Sequence, residues 1–191
     1  MEVANTILLM GRPGSGKGTQ AMMLAEKFGW THFSTGDRFK ALRDEDSALG
    51  RSVREAYDAG KLLPDWFATY LFEDTVLSMD PAGSLVSEGY PRSVAQAAIF
   101  DEILMWLGRP YKVFDLAVPD EIVMERMLKR AETVHRPDSS TKEQIQARLA
   151  TYEEHTAPVL KFFADKDMLI TIDGTMTPEE VEAAILRELA S

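Results

Sequence analysis

The stretch Gly11-Arg12-Pro13-Gly14-Ser15-Gly16-Lys17-Gly18-Thr19-Gln20 directly follows the apolar run Thr6–Met10, and a helical pattern continues over Ala21–Phe28. This order predicts a buried strand, a glycine-rich turn and a helix. Glycine lets the backbone curl tightly with its N–H groups pointing inward, and the helix N-terminus adds positive dipole to the same spot. Lys17 supplies a point charge of the kind that meets the outer phosphates of a nucleotide. The stretch therefore predicts a phosphate-binding loop.

The loop departs in one place from the general pattern, which has Ser or Thr directly after the lysine. Here Gly18 holds that place and Thr19 follows it. The alternative interpretation is a glycine-rich strand-to-helix turn that binds nothing. We favour phosphate binding because four glycines and a lysine are poor choices for a mere turn.

Composition bounds the class of protein. The 191 residues predict one domain, and a hydrophobic content of 45% suffices for a core. The net charge of −10 argues against nucleic acid as a partner. The lack of cysteine excludes disulfides and thiolate metal sites, which fits a cytoplasmic protein. Because neither a signal peptide nor about 20 consecutive apolar residues are visible, we expect no membrane association.

Short apolar runs alternate with helical patterns along the chain. The alternation predicts an α/β fold, a three-layer sandwich in which helices cover both faces of a five-stranded parallel sheet. Parallel strands carry ligands at their carboxyl edge, where the phosphate loop, Ser34–Asp37 and Glu88–Arg92 are all expected. The predicted strands are Thr6–Met10, His32–Ser34, Leu85–Ser87, Val113–Val118 and Leu169–Ile172.

Two polar segments have the character of insertions. Residues 34–63 form a charged helical stretch, and residues 129–141 carry Arg130 and Arg136. Segments that add little to a core are natural movable flaps. Two capping boxes also mark predicted helix starts, Thr177 with Glu180 and Ser140 with Glu143.

Five short motifs follow one another: Gly11–Gln20, Ser34–Asp37, Gly60–Asp65, Gly89–Arg92 with Gln96, and Arg136-x-Asp138 followed by Arg148-Leu149-x-x-Tyr152. In order and spacing they resemble the adenylate kinase family of nucleoside monophosphate kinases, over nearly the whole chain. The resemblance implies a phosphate-loop core with an AMP-binding insertion at 34–63 and a short lid at 129–141. It also implies a monomeric enzyme that transfers a phosphoryl group reversibly from MgATP to AMP, giving two ADP.

The resemblance also implies roles for the matched residues. Guanidinium groups suit such roles because they bind phosphate oxygens in pairs and stay charged. ATP is expected at Gly14, Ser15, Gly16, Lys17, Gly18 and Thr19, with Arg126 and Arg136. AMP is expected at Thr35, Lys40, Leu63, Gly89, Arg92, Gln96 and Arg148. The catalytic cations are expected to be Lys17, Arg92, Arg130, Arg136 and Arg148.

The residues by themselves leave plainer alternatives open. Gln96 with Ser93 has the pattern of a capping box, so it either satisfies a backbone N–H or binds adenine, and one side chain does not readily do both. For the arginines the alternative is a surface ion pair. The candidate partners are Glu125 or Glu132 for Arg126 and Arg130, and Asp138 or Glu143 for Arg136 and Arg148.

Glu88 and Lys40 are among the residues that depart from the family pattern. Glu88 stands where the family has the aspartate that orders the water shell of magnesium, and Mg²⁺ is expected near Thr19 and Glu88, held through phosphates and waters. Lys40 replaces an arginine that binds the AMP phosphate, and lacks its fork. Without cysteine the lid cannot carry the four-cysteine zinc site of long-lid relatives, so no zinc is expected.

The acceptor is expected to be AMP. Thr35 is typical of family members that favour AMP, whereas relatives acting on UMP and CMP carry alanine there and asparagines after the Pro-Arg turn. This chain has a single asparagine, Asn5. The alternatives are a kinase for another monophosphate (UMP, CMP or dAMP) and, given the changes at Glu88 and Lys40, a nucleotide sensor without turnover.

Overall fold

The computed structural model describes residues 4–58, 63–133 and 141–190. The strands in these ranges are β1 (Thr6–Met10), β2 (Thr31–Ser34), β3 (Leu85–Glu88), β4 (Tyr111–Ala117) and β5 (Leu169–Asp173). The helices are α1 (Lys17–Phe28), α2 (Thr35–Arg43), α3 (Ala48–Asp58), α4 (Asp65–Ser78), α5 (Val94–Trp106), α6 (Asp120–Thr133), α7 (Lys142–Thr151), α8 (Ala157–Ala164) and α9 (Pro178–Ala190). A π-helical turn, Tyr152–Thr156, joins α7 to α8.

The five strands form one parallel sheet in the order β2-β3-β1-β4-β5. Successive residues of β1 face opposite sides, as expected for a strand that is buried on both faces. Leu8 belongs to a core cluster with Phe72 of α4 and Phe100 of α5, whereas Leu9 packs in a second cluster with Leu24 of α1. Helices therefore cover both faces, and the predicted three-layer α/β fold is confirmed.

The register of the sheet brings three chain segments to one edge. Leu9 pairs with Glu88 of β3, and Met10 pairs with Asp115 of β4. Both carboxylates therefore lie beside the point where β1 runs into the glycine-rich loop. This is the carboxyl edge, where ligands of open α/β sheets bind.

One of the two predicted capping boxes is present and the other is not. The capping box of α9 is present as predicted, with the Thr177 and Glu180 side chains accepting hydrogen bonds reciprocally from backbone N–H groups. The box predicted at Ser140 and Glu143 is wrong. Helix α7 is instead capped one residue later, by Thr141 and Gln144.

The bounds of the two insertions stay predictions. Segment 34–63 contains α2 and α3, while residues 59–62, including Gly60 and Lys61 of the third motif, lie outside the described residues. Most of segment 129–141 also lies outside them, and Arg136 and Asp138 with it. Within the described ranges, no helix combines the length and apolar character needed to cross a membrane.

Candidate active site

The glycine-rich loop is shaped by close contacts at two glycines. Gly11 has φ +131°, and a Cβ there would lie 2.8 Å from the Leu116 carbonyl oxygen. Gly14 has φ +84°, and a Cβ there would lie 2.9 Å from the side chain of Met127. The loop is therefore pressed between the end of β4 and helix α6, and only glycine fits at these places.

Lys17 opens helix α1 and lies along the loop. Its ammonium donates hydrogen bonds to the carbonyl oxygens of Gly11, at 2.6 Å, and Arg12, at 2.8 Å. Burial lowers the pKa of Lys17 to about 8. The neighbouring cations Arg92 and Arg148 contribute to this decrease. Helix α1 thus begins with a partly buried cation, and Arg92 and Arg148 are close enough to interact with it electrostatically.

Two carboxylates face the same cation and act in the opposite direction. The negative charges of Glu88 and Asp115 raise the pKa of Lys17 and partly offset the effect of burial. The Glu88 carboxylate accepts a hydrogen bond of 2.6 Å from the Ser34 hydroxyl. Burial raises the pKa of Asp115, and the charges of Lys17 and Arg12 oppose that shift. The edge of the sheet therefore holds both signs of charge among partly buried side chains, where electrostatic interactions are stronger than in bulk water.

The turn after β3 joins two other predicted site residues. Gly89 has φ +76°, and its carbonyl oxygen accepts hydrogen bonds from the Thr35 hydroxyl and from the Nε of Arg92, the latter at 2.8 Å. A Cβ at Gly89 would lie 2.8 Å from the Thr35 hydroxyl oxygen. Thr35, Gly89 and Arg92 thus form one contact group, and Thr35 also begins helix α2, whose cap is Ser34.

The turn is anchored in the core by Tyr90, which follows Gly89. Its ring stacks on Phe72 with 4.9 Å between ring centroids, and its hydroxyl donates to Thr69 at 3.1 Å. Burial raises the pKa of Tyr90 to about 12. Arg92 is therefore carried by a turn whose middle is fixed inside the protein, although its own side chain is exposed.

Gln96 is engaged at both ends of its side chain. Its carbonyl oxygen accepts a hydrogen bond of 2.7 Å from the Arg92 backbone N–H, and its amide donates to the Asp65 carbonyl oxygen at 3.3 Å. Its own backbone N–H donates to the Ser93 hydroxyl, which caps helix α5. The capping alternative is thus close to what is observed. The difference is that the Gln96 side chain accepts from the N–H of Arg92, the residue before the cap Ser93, and not from the N–H of the cap itself.

The remaining predicted site residues are distributed around this cluster. Arg148 is half-buried in α7 and interacts electrostatically with Lys17. Arg126 in α6 donates to the Gly174 carbonyl oxygen at 2.9 Å, in the turn after β5, and not to the glutamates considered as its alternative partners. Arg130 and Lys40 are exposed on α6 and α2, Thr19 is exposed on α1, and Leu63 packs against the core cluster of α4.

Comparison with known proteins decides the family. The sequence model described as adenylate kinase matches residues 9–168, which include the loop, the turn after β3 and Arg148. The chain belongs to the adenylate kinase family. The five-motif resemblance is confirmed by this match and by the relatives that follow.

Several curated adenylate kinases resemble this family member over nearly their whole length. An adenylate kinase of Stenotrophomonas maltophilia is 40% identical over 181 residues, covering 94% of this chain and 96% of the relative. One from a Cyanothece species is 38% identical over 180 residues, covering 94% and 92%. An adenylate kinase 1 of a Synechocystis species is 37% identical and covers 99% and 98%.

Two features of this adenylate kinase family member were not singled out from sequence. One is Asp115, which lies inside the otherwise apolar run Val113–Val118. A carboxylate in a buried parallel strand is an available signal, because such residues are rarely buried without a partner. The other is Arg12, which pairs with Asp120 at the start of α6 and with Glu153 in the π-helical turn. No local pattern reveals partners so far away in the chain.

Proposed function

We propose that this chain catalyses reversible phosphoryl transfer from MgATP to AMP, giving two ADP. The observation that carries the proposal is the group of cations around Lys17, which includes Arg92 and Arg148, at the carboxyl edge of the sheet. Family membership supports the same reaction, because the relatives described above are named adenylate kinases.

The proposed mechanism is electrostatic. Transfer of a phosphoryl group concentrates negative charge on its oxygens and asks the protein mainly for positioning and fixed positive charge. Lys17, with the N–H groups of Gly14–Thr19, is proposed to hold the donor phosphates. Arg92 and Arg148 are proposed to hold the acceptor phosphate, so that the two phosphate chains meet among these cations.

Further arginines complete the proposed clamp. Arg126 and Arg130 leave helix α6 on one side of the loop, and Arg136 is proposed to join them from the lid at 129–141. A fixed guanidinium stabilises negative charge more strongly when water is excluded, because the local dielectric constant falls. Closure of the lid and of the insertion at 34–63 over the substrates is proposed to supply that exclusion.

Magnesium fits the donor set beside the loop. Glu88 and Asp115 offer hard carboxylate oxygens and Thr19 a hydroxyl, and Mg²⁺ prefers such ligands while keeping several waters. We propose that Thr19 and Glu88 hold the ion through waters and ATP phosphates. When bound, the ion neutralises phosphate charge. The Ser34 hydroxyl, at 2.6 Å from Glu88, fixes the orientation of that carboxylate.

The acceptor site is proposed to lie on the side of α2. Thr35, Gly89 and Arg92 form its observed contact group, and Lys40, Leu63 and Gln96 are proposed to complete it. Because Gln96 already hydrogen-bonds to Arg92 and Asp65, its proposed contact with adenine requires it to exchange one of these partners.

The proposal is tested with a panel of monophosphates (AMP, dAMP, UMP and CMP), each supplied with ATP and either Mg²⁺ or Mn²⁺. We expect ADP formation to be fastest with AMP. A clear preference for UMP or CMP contradicts the assignment of the acceptor, and tight nucleotide binding without transfer to any monophosphate contradicts the enzymatic function. We also propose that the protein works as a monomer in the cytoplasm, which sedimentation and cell fractionation test.

A further inference from the structure

Helices α4 and α5 lie side by side and leave an apolar groove on the protein surface. The groove encloses about 450 Å³, and Trp66, Tyr70, Ala95 and Ile99 are among its lining residues. Trp66 is 68% exposed and Tyr70 is 53% exposed. Aromatic side chains this open to water are uncommon outside binding sites when they lie next to one another.

The apolar rows continue along both helices with the same spacing. On α4, Tyr70 follows Trp66 by four residues and Leu77 follows Tyr70 by seven, and on α5 Ile99 and Trp106 are likewise seven apart. Steps of four and seven keep side chains on one helix face. Leu77 is 59% exposed and Trp106 is 79% exposed. By this spacing, Leu77 and Trp106 extend the two rows beyond the residues that line the groove.

The groove is acidic as well as apolar. Asp65 and Glu73 line it, and its described lining contains no basic side chain. Glu102 is exposed on α5 between Ile99 and Trp106, so a third carboxylate lies in the α5 row. The chain as a whole carries a net charge of −10. A second copy of this chain would therefore bring like charges together across the groove, whereas a basic partner is attracted to it.

We propose that this groove binds a basic amphipathic helix of a partner protein. A helix lays an apolar face into such a groove through residues spaced three, four and seven apart. Trp66, Tyr70 and Trp106 are residue types that dominate binding energy at interfaces. Lysines or arginines flanking the apolar face of the partner would meet Asp65, Glu73 and Glu102.

Two residues that line the groove are hydrogen-bonded to the turn that carries Arg92. Asp65 and Gln96 both line the groove. The same Asp65 accepts a hydrogen bond from the Ser93 hydroxyl at 3.1 Å, and Gln96 accepts one from the Arg92 backbone N–H. A docked helix is therefore expected to change the KM for AMP and not that for ATP. This second readout, unlike the binding itself, rests on the proposed function.

Binding is tested by selecting peptides from a random display library against the immobilised full chain. Peptides of roughly 16 residues are long enough to span the rows as a helix. The enriched peptides are then titrated against the double variant Trp66→Ala, Trp106→Ala, in which both exchanged side chains are exposed and the core is left intact. The matched control is Met22→Ala, which removes an apolar side chain that is 53% exposed on α1.

We expect enriched peptides to carry net positive charge and apolar residues with helical spacing. They should bind the wild type and Met22→Ala equally, and the double variant at least tenfold more weakly. Titration in a Trp30→Phe background makes the fluorescence of Trp66 and Trp106 report on the groove alone, since the chain has three tryptophans. A failure to enrich peptides, a lack of basic excess, or equal binding to the double variant overturns the proposal.

Self-association is the competing use of the groove. Sedimentation of the wild type that reveals a dimer, together with a monomeric double variant, overturns the proposal in favour of a second copy. If peptides bind as expected but the KM for AMP does not move, the docking site stands and only its link to the acceptor site fails. If the chain transfers no phosphoryl group at all, the binding result still decides the docking site.

Discussion

Arg12, in the glycine-rich loop, pairs with Glu153 of the π-helical turn, with 2.7 Å between Nη2 and Oε1. The other terminal nitrogen of the same guanidinium pairs with Asp120, at the start of α6. One side chain thus joins the loop to the helix that leads into segment 129–141 and to the turn that follows α7. The loop is therefore joined to the helix before the predicted lid and to the turn that ends the helix after it.

The Arg12 contacts are expected to matter more for ATP binding than for stability. Asp120 and Glu153 are more than half exposed, and exposed ion pairs contribute about 0–1 kcal/mol. Arg12→Ala should therefore change the free energy of unfolding by less than about 1 kcal/mol. Because the loop loses both ion pairs, we expect the KM for ATP to rise by about threefold to tenfold. A tenfold rise corresponds to about 1.4 kcal/mol of binding free energy.

The matched control for Arg12 is Lys161→Ala, which breaks another exposed ion pair, with Asp165 on α8. Lys161→Ala should change the unfolding midpoint only slightly and should leave the KM for ATP unchanged. Denaturant titration and steady-state kinetics measure both quantities. An Arg12→Ala enzyme with the wild-type KM for ATP would show that the two ion pairs do not position the loop.

Lys17→Met is expected to lower kcat by a factor of about 10²–10³, the usual effect of removing one fixed donor from a transition state. The fold should persist, since methionine keeps most of the side-chain length at the start of α1. Lys27→Met is the matched control, because Lys27 lies in the same helix and pairs with Glu182 instead. A coupled assay for ADP measures turnover, and near-normal turnover of Lys17→Met refutes the proposed role.

ATP affinity is expected to fall with rising pH because the pKa of Lys17 is lowered to about 8. Below that pH the lysine is charged in the free protein and attracts phosphate. Above it the free protein loses the proton that ATP binding requires, so the dissociation constant should rise about tenfold per pH unit. Lys17→Arg keeps its charge throughout and should lack this break.

Asp115→Asn gives an independent check on the same titration. The Asp115 charge raises the pKa of Lys17, so its removal should move the break in ATP affinity to a lower pH. Calorimetric titrations at several pH values measure the shift. A break that stays in place in Asp115→Asn, or that persists in Lys17→Arg, would mean that another group titrates.

Gly89→Ala is expected to lower stability by at least about 1 kcal/mol, because alanine tolerates a φ of +76° poorly. It should also raise the KM for AMP, since the new methyl group would lie 2.8 Å from the Thr35 hydroxyl oxygen. Gly29→Ala is the control. It has φ +67° but nothing within 4 Å of the added Cβ, so it should lower stability without changing the KM for AMP.

The strands and the loop could be predicted from sequence because their signals are local. The run Thr6–Met10 is apolar, ends in glycines and reappears unchanged as β1. Helix α1, in contrast, begins at Lys17 and not at Ala21, since the helical start lies inside the loop motif. The cap of α7 was missed by one residue because Ser140 and Thr141 offer equivalent hydroxyls.

The surroundings of the site could not be predicted in the same way. The ion pairs of Arg12 join residues that are far apart in the chain, and no local sequence pattern indicates such a pairing. Trp66 and Trp106 have large apolar side chains, yet both are exposed on the protein surface. Whether an apolar helix face is exposed depends on which other elements of the fold pack against it, and this cannot be read from the sequence of the helix alone.

The contact between Gly14 and Met127 has a genetic consequence. A methyl group added at Gly14 would lie 2.9 Å from the Met127 side chain, which ends in flexible bonds and can be shortened. In a selection for revertants of Gly14→Ala, smaller residues at Met127 of α6 should appear as partial suppressors, because they relieve the contact while the strain of φ +84° stays. The shape of the loop thus depends partly on one side chain of the neighbouring helix.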